Sequence, residues 1–288
     1  MSVSKTALAA ASAVLLGVTA LTAAIVPTVT RAEAPAQAED AALKAAIAAD
    51  SRSAENRARD AWRHPYDSLR FWGLRPGATV IEIGPGGGWW TEILAPYAKA
   101  TGGTYIAAQG DLSNPAATDR ARQARAAFET KYGAKVVDFG AGPGLAVPDA
   151  SADLILVARA FHNWAGQEGV TDRFMGEFAR ALKPGGVLAV EQHRAPEGKP
   201  VAETAPNGYV PESYVIEAAK KAGLVLDARS EINANPKDTR DHPFGVWTLP
   251  PIKQTAPRGE PANPAFDRTK YDAIGESDRM TLRFRKPG

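Results

Sequence analysis

Short apolar runs alternate along this chain with longer segments in which apolar residues recur every three or four positions. The runs predict seven β-strands, and the segments between them predict helices. The strands are expected at Val80–Ile83, Thr104–Ala108, Lys135–Phe139, Asp153–Ala158, Val187–Val190, Leu224–Arg229 and Met280–Arg285. Because strands that alternate with helices form parallel sheets, the pattern predicts an α/β fold with a doubly wound, mainly parallel sheet. The alternation in the last strand suits an edge of that sheet.

Five helices are predicted from the segments in which apolar residues recur every three or four positions. They are expected at Ser51–Trp62, Trp89–Ala98, Asn114–Tyr132, Thr171–Leu182 and Pro211–Ala222. His64-Pro65 should end the first of them, because a residue before proline is pushed out of the helical region. Residues 35–50 are alanine-rich and are interpreted as a linker or a helix.

The first 34 residues have the features of an export signal. Lys5 is followed by the apolar stretch Ala7–Val26 and by Ala32-Glu33-Ala34, an Ala-x-Ala cleavage site. Cleavage after Ala34 predicts a periplasmic or secreted protein without stable membrane insertion. An uncleaved membrane anchor is the competing interpretation, because the apolar stretch approaches the length of a bilayer span.

Composition narrows the possible functions. The net charge of +2 is too small to indicate nucleic acid as a partner. Cysteine is absent, which excludes disulfides, thiolate metal sites and thiol nucleophiles.

The segment with most chemical information is the glycine-rich turn after the first strand. Gly84, Gly86 and Gly88 follow Val80–Ile83 and precede helix-like sequence. Glycine permits positive φ and lets a ligand lie against bare backbone, so a nucleotide site is indicated. A dinucleotide loop would require glycine at position 89, where Trp89 stands, and this argues against a nicotinamide-dependent oxidoreductase.

The pattern acid-x-Gly-x-Gly-x-Gly, beginning at Glu82, resembles motif I of the class I S-adenosylmethionine-dependent methyltransferases. Ala152–Leu156 and Phe178–Leu188 resemble the family's strand four and the approach to its strand five. The resemblance covers most of residues 60–288 and implies a seven-stranded Rossmann-like sheet with an antiparallel last strand. It extends to an uncharacterised subgroup of predicted methyltransferases through the Phe161–Trp164 and Gly275–Met280 phrases. We therefore expect a methyltransferase domain over residues 63–288, preceded by a linker or helix over 35–62.

The resemblance also implies a cofactor site for S-adenosyl-L-methionine. In the family the glycine loop passes under the methionine part, which points to Gly84, Gly86 and Gly88, and the acid at the Glu82 position supports the loop and the amino group. The family usually ends strand two with an acid that binds both ribose hydroxyls, but here Gln109 stands there and Asp111 follows two residues later. The loop after strand three, residues 140–144, also lacks the acid that the family commonly places near adenine, and Asp138 is the nearest one.

Candidate substrate residues follow from the rule that open α/β sheets bind ligands beyond the carboxyl ends of their strands. His162 is the first candidate for a general base, because imidazole titrates near neutral pH. His193 and His242 are the other catalytic candidates. Substrate contacts are expected from a residue before strand one, from the Phe161–Trp164 phrase and from the long insertion of residues 233–277, namely Tyr66, Asn163, Trp164, Asn235, Asp238 and Trp247. The insertion is predicted to be a lid.

Two hypotheses about function remain open at this point. The first is a methyltransferase acting on a small molecule, and the second is an exported binding protein that keeps the fold without catalysis. Glu191, His193 and His162 could form a metal-binding set, but nothing in their spacing requires it, and no metal site is predicted.

Overall fold

The computed structural model describes residue 1 and residues 39–113 and 116–288. The predicted signal sequence and its cleavage site at Ala34 therefore lie outside the described residues. Within the described ranges, no helix has the length and apolar character that crossing a membrane requires.

Four helices precede the first strand, and most of the later strands in the described chain alternate with helices. The helices are α1 (Ala41–Ala48), α2 (Ala54–Arg57), α3 (Asp60–Arg63), α4 (Pro65–Phe71), α5 (Thr91–Thr101), α6 (Asp119–Tyr132), α7 (Val170–Ala181), α8 (Val201–Thr204), α9 (Glu212–Lys221) and α10 (Thr269–Ile274). The strands are β1 (Thr79–Ile83), β2 (Thr104–Gly110), β3 (Lys135–Gly140), β4 (Gly144–Leu145), β5 (Ala152–Ala158), β6 (Leu182–His193), β7 (Val225–Ser230) and β8 (Arg279–Arg285).

All these strands form one sheet in the order β4-β3-β2-β1-β5-β6-β8-β7. The pairs of β1 with β2 and β5, of β2 with β3 and of β5 with β6 are parallel. The predicted α/β class, with a doubly wound, mainly parallel Rossmann-like sheet, is confirmed, but the predicted count of seven strands is wrong. The additional strand is β4, a two-residue segment antiparallel to β3, which is too short to leave a periodic pattern in the sequence.

The last strand is antiparallel, as expected, but its predicted position at the edge is wrong. β8 pairs with β6 on one side and with β7 on the other. Its apolar residues Met280, Leu282 and Phe284 are fully buried, because a strand with neighbours on both sides lies inside the sheet. β7 is the edge strand.

Alternate residues of the central strands face two apolar layers. Ile81 and Ile155 belong to the layer that contains α7 and α9, whereas Val80 and Leu154 belong to the layer that contains α4 and α5. Strands with helices on both faces are buried on both sides, which explains why their sequences are nearly continuous apolar runs.

Two predicted helices differ from the observed elements. Residues 51–62 form α2 and α3 in place of one helix, with Ala58 and Arg59 in a turn between them. The first of these helices begins only at Ala54, because Ser53 caps it by accepting a hydrogen bond from the amide of Asn56. The helix expected from residue 114 begins at Asp119, where Thr118 is its cap. The stop predicted at His64-Pro65 is confirmed, since α3 ends at Arg63 and His64 has φ 41°.

Candidate active site

The polar side chains of interest converge at the carboxyl edge of the parallel strands. The glycine loop follows β1, Arg159 and His162 follow β5, and His193 ends β6. β8 runs in the opposite direction, so its beginning, with Ser277 and Arg279, lies at the same edge. Ligands of open α/β sheets bind at this edge.

The glycine loop separates two cavities that share Gly84, Pro85 and Gly86. The cavity on the β5 side has a volume of about 420 Å³ and contains the histidines in its wall, and we call it the reaction cavity. The cavity on the β2 side measures about 640 Å³ and is lined by Gln109, Asp111 and residues of α6, and we call it the outer cavity. Both volumes lie within the usual range for small-molecule sites.

The backbone of the loop leaves room for a ligand. Gly84 and Gly86 have φ of +62° and +54°, a region that side-chain-bearing residues rarely adopt. A Cβ atom built on Gly86 would have no neighbour within 4 Å, so the space beside it is open. A cradle of bare backbone between two cavities fits the methionine and nucleoside parts of S-adenosylmethionine.

Gly88 has a different reason to be glycine. It lines neither cavity, and a Cβ atom there would lie 2.3 Å from the hydroxyl oxygen of Tyr132. The residue therefore makes space for packing of α6 against the loop.

Glu82 lies in the wall of the reaction cavity and is 3% exposed. Its Oε2 accepts hydrogen bonds from the hydroxyls of Thr91 (2.9 Å) and Tyr105 (2.6 Å). Burial raises the pKa of Glu82 to about 7, although both hydroxyls and the charge of Arg159 act in the opposite direction. The carboxyl group can therefore change its charge near neutral pH.

Gln109 is the last residue but one of β2 and lies in the wall of the outer cavity together with Asp111. Oδ1 of Asp111 accepts hydrogen bonds from the amide and hydroxyl of Ser113. Asp138 on β3 is held by Arg125 at 2.7 Å and lines neither cavity. Gln109 and Asp111 are thus the polar candidates for ribose contacts.

The adjacent indoles of Trp89 and Trp90 leave the reaction cavity open. Both are almost fully buried and pack edge to face on each other, with ring centroids 4.5 Å apart. Trp90 also packs on Trp72, and Nε1 of Trp89 donates to the carbonyl oxygen of Asn56. The two rings form one wall of the cavity and join it to the N-terminal helices.

His162 and His193 lie side by side in the reaction cavity, with ring centroids 5.9 Å apart. Nδ1 of His193 lies 2.5 Å from the hydroxyl oxygen of Ser277, and Nδ1 of His162 lies 3.3 Å from the side-chain nitrogen of Gln192. Burial lowers the pKa of both rings, most strongly for His193, which also faces the positive charges of Arg279 and Arg159. Both imidazoles are consequently neutral at neutral pH.

A chain of alternating charges surrounds these histidines. Arg159 lies 3.6 Å from Glu191, Glu191 lies 2.7 Å from Arg279, and Arg279 also pairs with Glu276. Glu276 then contacts Arg63 at 2.9 Å and Arg59 at 3.0 Å. We call these six residues the arginine network. It joins the N-terminal helices, the end of β5 and the start of β8 around one cavity.

The insertion between β7 and β8 supplies another wall. Trp247, Pro250, Pro251 and Ile252 line the reaction cavity, and the indole of Trp247 lies 5.8 Å from the ring of His162. A neighbouring cavity of about 560 Å³ shares His162, Asn163, Trp247 and Ile252 with it and is lined by further residues of the insertion.

Three other predicted residues of the insertion lie away from these cavities. His242 and Asp238 are buried, with Nε2 of His242 2.8 Å from Oδ1 of Asp238. Asp238 also accepts hydrogen bonds from the hydroxyl of Tyr209 and from the amide of Asp278. Asn235 donates to the carbonyl oxygens of Ile274 and Glu276. These side chains fasten the two ends of the insertion to each other.

Tyr66 and Trp164 also lie outside the reaction cavity. The hydroxyl of Tyr66 accepts a hydrogen bond from the amide of Asp40. Trp164 packs among Phe139, Phe161, Phe174 and Phe178 in the core. Arg63, which also precedes β1, does line the reaction cavity.

Within the described part of the chain, no group of three or more His, Asp or Glu side chains is arranged to hold a metal ion. Glu191, considered as a ligand with His162 and His193, is fully buried and directed to Arg279.

The sequence reasoning missed Arg59, Arg159, Arg279, Glu276 and Ser277. Ser277 and its neighbours stand in the Gly275–Met280 phrase, which was the available signal. Arg159 has φ +52°, and such backbone strain in a residue other than glycine is concentrated at functional sites.

Residues 81–190 match the family model described as a methyltransferase domain. The match begins in β1 and ends in β6, so it contains the glycine loop and the turn with His162. It supports a methyltransferase, in agreement with the resemblance of motif I.

Among solved structures, a candidate methyltransferase bound to the Trm112 methyltransferase activator of Haloferax volcanii is 19% identical, with 88% of this chain and 100% of that chain covered and a TM-score of 0.49. A candidate sarcosine dimethylglycine methyltransferase of Galdieria sulphuraria is 16% identical (80% and 86% covered, TM-score 0.49). A SAM-dependent methyltransferase of Aquifex aeolicus is 22% identical (62% and 89% covered, TM-score 0.46). No curated protein matches the chain significantly.

Proposed function

We propose that this protein transfers the methyl group of S-adenosylmethionine to a small-molecule acceptor. The observation that carries the proposal is the glycine loop, which lies as bare backbone between two cavities at the carboxyl edge of a methyltransferase sheet. When bound, S-adenosylmethionine supplies a methyl group that is activated by its sulfonium.

The residues around the loop fit this cofactor. Gly84 and Gly86 offer backbone without side chains, and Gln109 with Asp111 offers hydrogen-bond partners to ribose hydroxyls in the outer cavity. The carboxyl group of Glu82, held by Thr91 and Tyr105, is the acid for the cofactor's ammonium group.

His193 is the better placed base for an acceptor that must lose a proton. With its hydrogen on Nδ1 it donates to Ser277 Oγ, and Nε2 then carries the lone pair. The lowered pKa keeps this lone pair available at neutral pH. His162, 5.9 Å away, is positioned to bind the same acceptor. The insertion covers the acceptor with Trp247 and excludes water.

The proposal is tested by calorimetric titration with S-adenosylhomocysteine, followed by transfer of a tritiated methyl group from S-adenosylmethionine into small-molecule extracts. We expect saturable binding and a labelled product. Binding without transfer to any extract fraction would indicate the non-catalytic binding protein, and absence of binding would refute both the cofactor and the reaction.

We also propose that the chain is exported and cleaved after Ala34. This proposal rests on the sequence alone, namely Lys5, the apolar stretch Ala7–Val26 and the Ala-x-Ala site. N-terminal sequencing of the protein from its native host tests it, and a mature chain that begins at Pro35 is expected. The partners proposed for the mature protein are the cofactor and a small molecule, without nucleic acid or membrane.

A further inference from the structure

We infer that the methyl acceptor is an anion whose carboxylate or phosphate group binds Arg159. The inference rests on the proposed function and adds to it the chemical class of the acceptor. It starts from a surplus of positive charge around the reaction cavity.

The arginine network contains four guanidinium groups and two carboxylates. Glu82 is the remaining acid in the cavity wall, and with a pKa near 7 it contributes at most one further negative charge. The side chains of the cavity wall therefore carry an excess of one to two positive charges. Arg59 and Arg159 are partly exposed, but in a mostly buried wall such an excess is costly unless a ligand compensates it.

The excess lies at the two ends of the network. At one end, Glu276 is shared among Arg59, Arg63 and Arg279. At the other end, Arg159 has Glu191, at 3.6 Å, as its ion-pair partner among the described residues, while Glu276 and Glu82 act on it from a greater distance. Its buried Nη1 has no hydrogen-bond partner among the described residues. Nη1 of Arg63, at the first end of the network, is also buried and has no hydrogen-bond partner among the described residues. The guanidinium group of Arg63 lies 4.9 Å from the ring centre of Trp89.

S-adenosylmethionine can neutralise one end at most. It carries one carboxylate, and its sulfonium and ammonium groups bring two positive charges into the cavity. Even with Glu82 ionised beside the ammonium, an oxyanion is still required. Guanidinium groups bind carboxylates and phosphates strongly through paired hydrogen bonds.

Arg159 is the end of the arginine network that lies in the same cavity wall as the two candidate catalytic histidines. It precedes His162 by three residues and lies in the same cavity wall as His193 and Ser277. Its left-handed backbone conformation, with φ +52°, directs a charged residue from the end of β5 to this position at a cost in strain. An oxyanion bound there would hold the acceptor next to both imidazoles.

The test uses malonate and inorganic phosphate as probes, titrated calorimetrically into the protein with and without saturating S-adenosylhomocysteine, at constant ionic strength. We expect one of the two anions to bind, which also distinguishes carboxylate from phosphate. Arg159→Gln should weaken that binding by about tenfold or more while the affinity for S-adenosylhomocysteine stays unchanged. Arg159→Lys should restore part of it, and Arg57→Gln, which changes an exposed arginine outside the cavity, should have no effect.

Absence of binding of either anion at millimolar concentration would overturn the inference. A loss of affinity for S-adenosylhomocysteine in Arg159→Gln, with affinity retained for an analogue that lacks the carboxylate, would overturn it too, because Arg159 would then serve the cofactor. If S-adenosylhomocysteine does not bind at all, the proposed function fails, while the titrations without it still decide whether Arg159 is an oxyanion site.

Discussion

Nε of Arg63 lies 2.9 Å from Oε2 of Glu276, and the two side chains are 1% and 3% exposed although 213 positions separate them in the chain. This ion pair connects the N-terminal helices to the segment before β8. Glu276 is also the partner of Arg59 and Arg279, so one carboxylate holds three guanidinium groups around the reaction cavity.

Glu276→Gln is therefore expected to destabilise the protein by about 3–5 kcal/mol, because removal of one partner leaves buried charges without compensation. The free energy of unfolding in urea measures this. Asp227→Asn is the matched control, since Asp227 contacts Arg283 and Arg285 in a partly exposed ion-pair group and should contribute about 1 kcal/mol or less. Equal effects of the two substitutions would show that the buried carboxylate has no special structural role.

Gly86→Val is expected to abolish cofactor binding while the fold is retained. The branched side chain would occupy the open space beside the loop, and φ +54° would add a strain of about 1–2 kcal/mol. Gly102→Val controls for strain alone, because Gly102 has φ +69°, no neighbour within 4 Å of a Cβ atom and no place in either cavity. Calorimetry with S-adenosylhomocysteine compares the cofactor affinity of the two variants. Binding retained by Gly86→Val would show that the loop is a turn without a role in cofactor binding.

Glu82→Gln should become more stable relative to the wild type as pH rises. The folded-state pKa of Glu82 is raised to about 7 from 4.5, so its protonated form contributes stability that is fully present below pH 4.5 and is lost as pH rises through 7. The free energy of unfolding of the variant minus that of the wild type is expected to rise by about 3 kcal/mol between pH 4 and pH 8.5. Urea unfolding across this range measures it, with the exposed Glu55→Gln as control. A difference independent of pH would contradict the raised pKa.

His193→Gln is expected to lower kcat by about 10²–10⁴-fold if the base removes a proton from the acceptor. Because burial lowers the pKa of His193 well below the ordinary value of 6.5, protonation of this ring should reduce the wild-type rate only at pH values well under 6.5. Ser277→Ala should reduce kcat by about tenfold and move this acid limb of the profile, since the hydroxyl fixes the ring tautomer.

Ser213→Ala is the control for that series, because Ser213 bonds Glu197 at the surface, away from the reaction cavity. Labelled methyl transfer over a range of pH measures all three variants. A Ser277→Ala enzyme with an unmoved pH profile would assign the serine a purely structural role.

The parts of the fold that the sequence predicts well are those with strong local patterns. Val80–Ile83 and Asp153–Ala158 are continuous apolar runs because helices cover both faces of these strands. The spacing acid-x-Gly-x-Gly-x-Gly predicts the turn after β1, and the positive φ of Gly84, Gly86 and Gly88 explains why glycine stands at these positions. β4 left none, because two residues cannot show a period.

The site was harder to predict because burial of polar residues depends on contacts between distant segments. His242 is predicted as a catalytic candidate and Asp238 as a substrate contact, yet they bond each other inside the insertion, outside the reaction cavity. No local pattern in the sequence indicates that Arg159 and Arg279 meet at Glu191, which lies on a third segment. Such pairings follow from the order of strands in the sheet, which the sequence predicts only in outline.

The position of β8 also determines the point during synthesis at which the sheet and the buried ion pairs can form completely. This strand separates β6 from β7 and follows both in the chain, and Glu276 lies three residues before its start. During synthesis β7 has no hydrogen-bonded neighbour in the sheet, and the N-terminal helices lack their anchoring carboxylate, until the segment from Glu276 to Arg285 has been made. A chain interrupted before residue 276 therefore lacks both features, so the sheet and the wall of the reaction cavity close only after this segment has joined them.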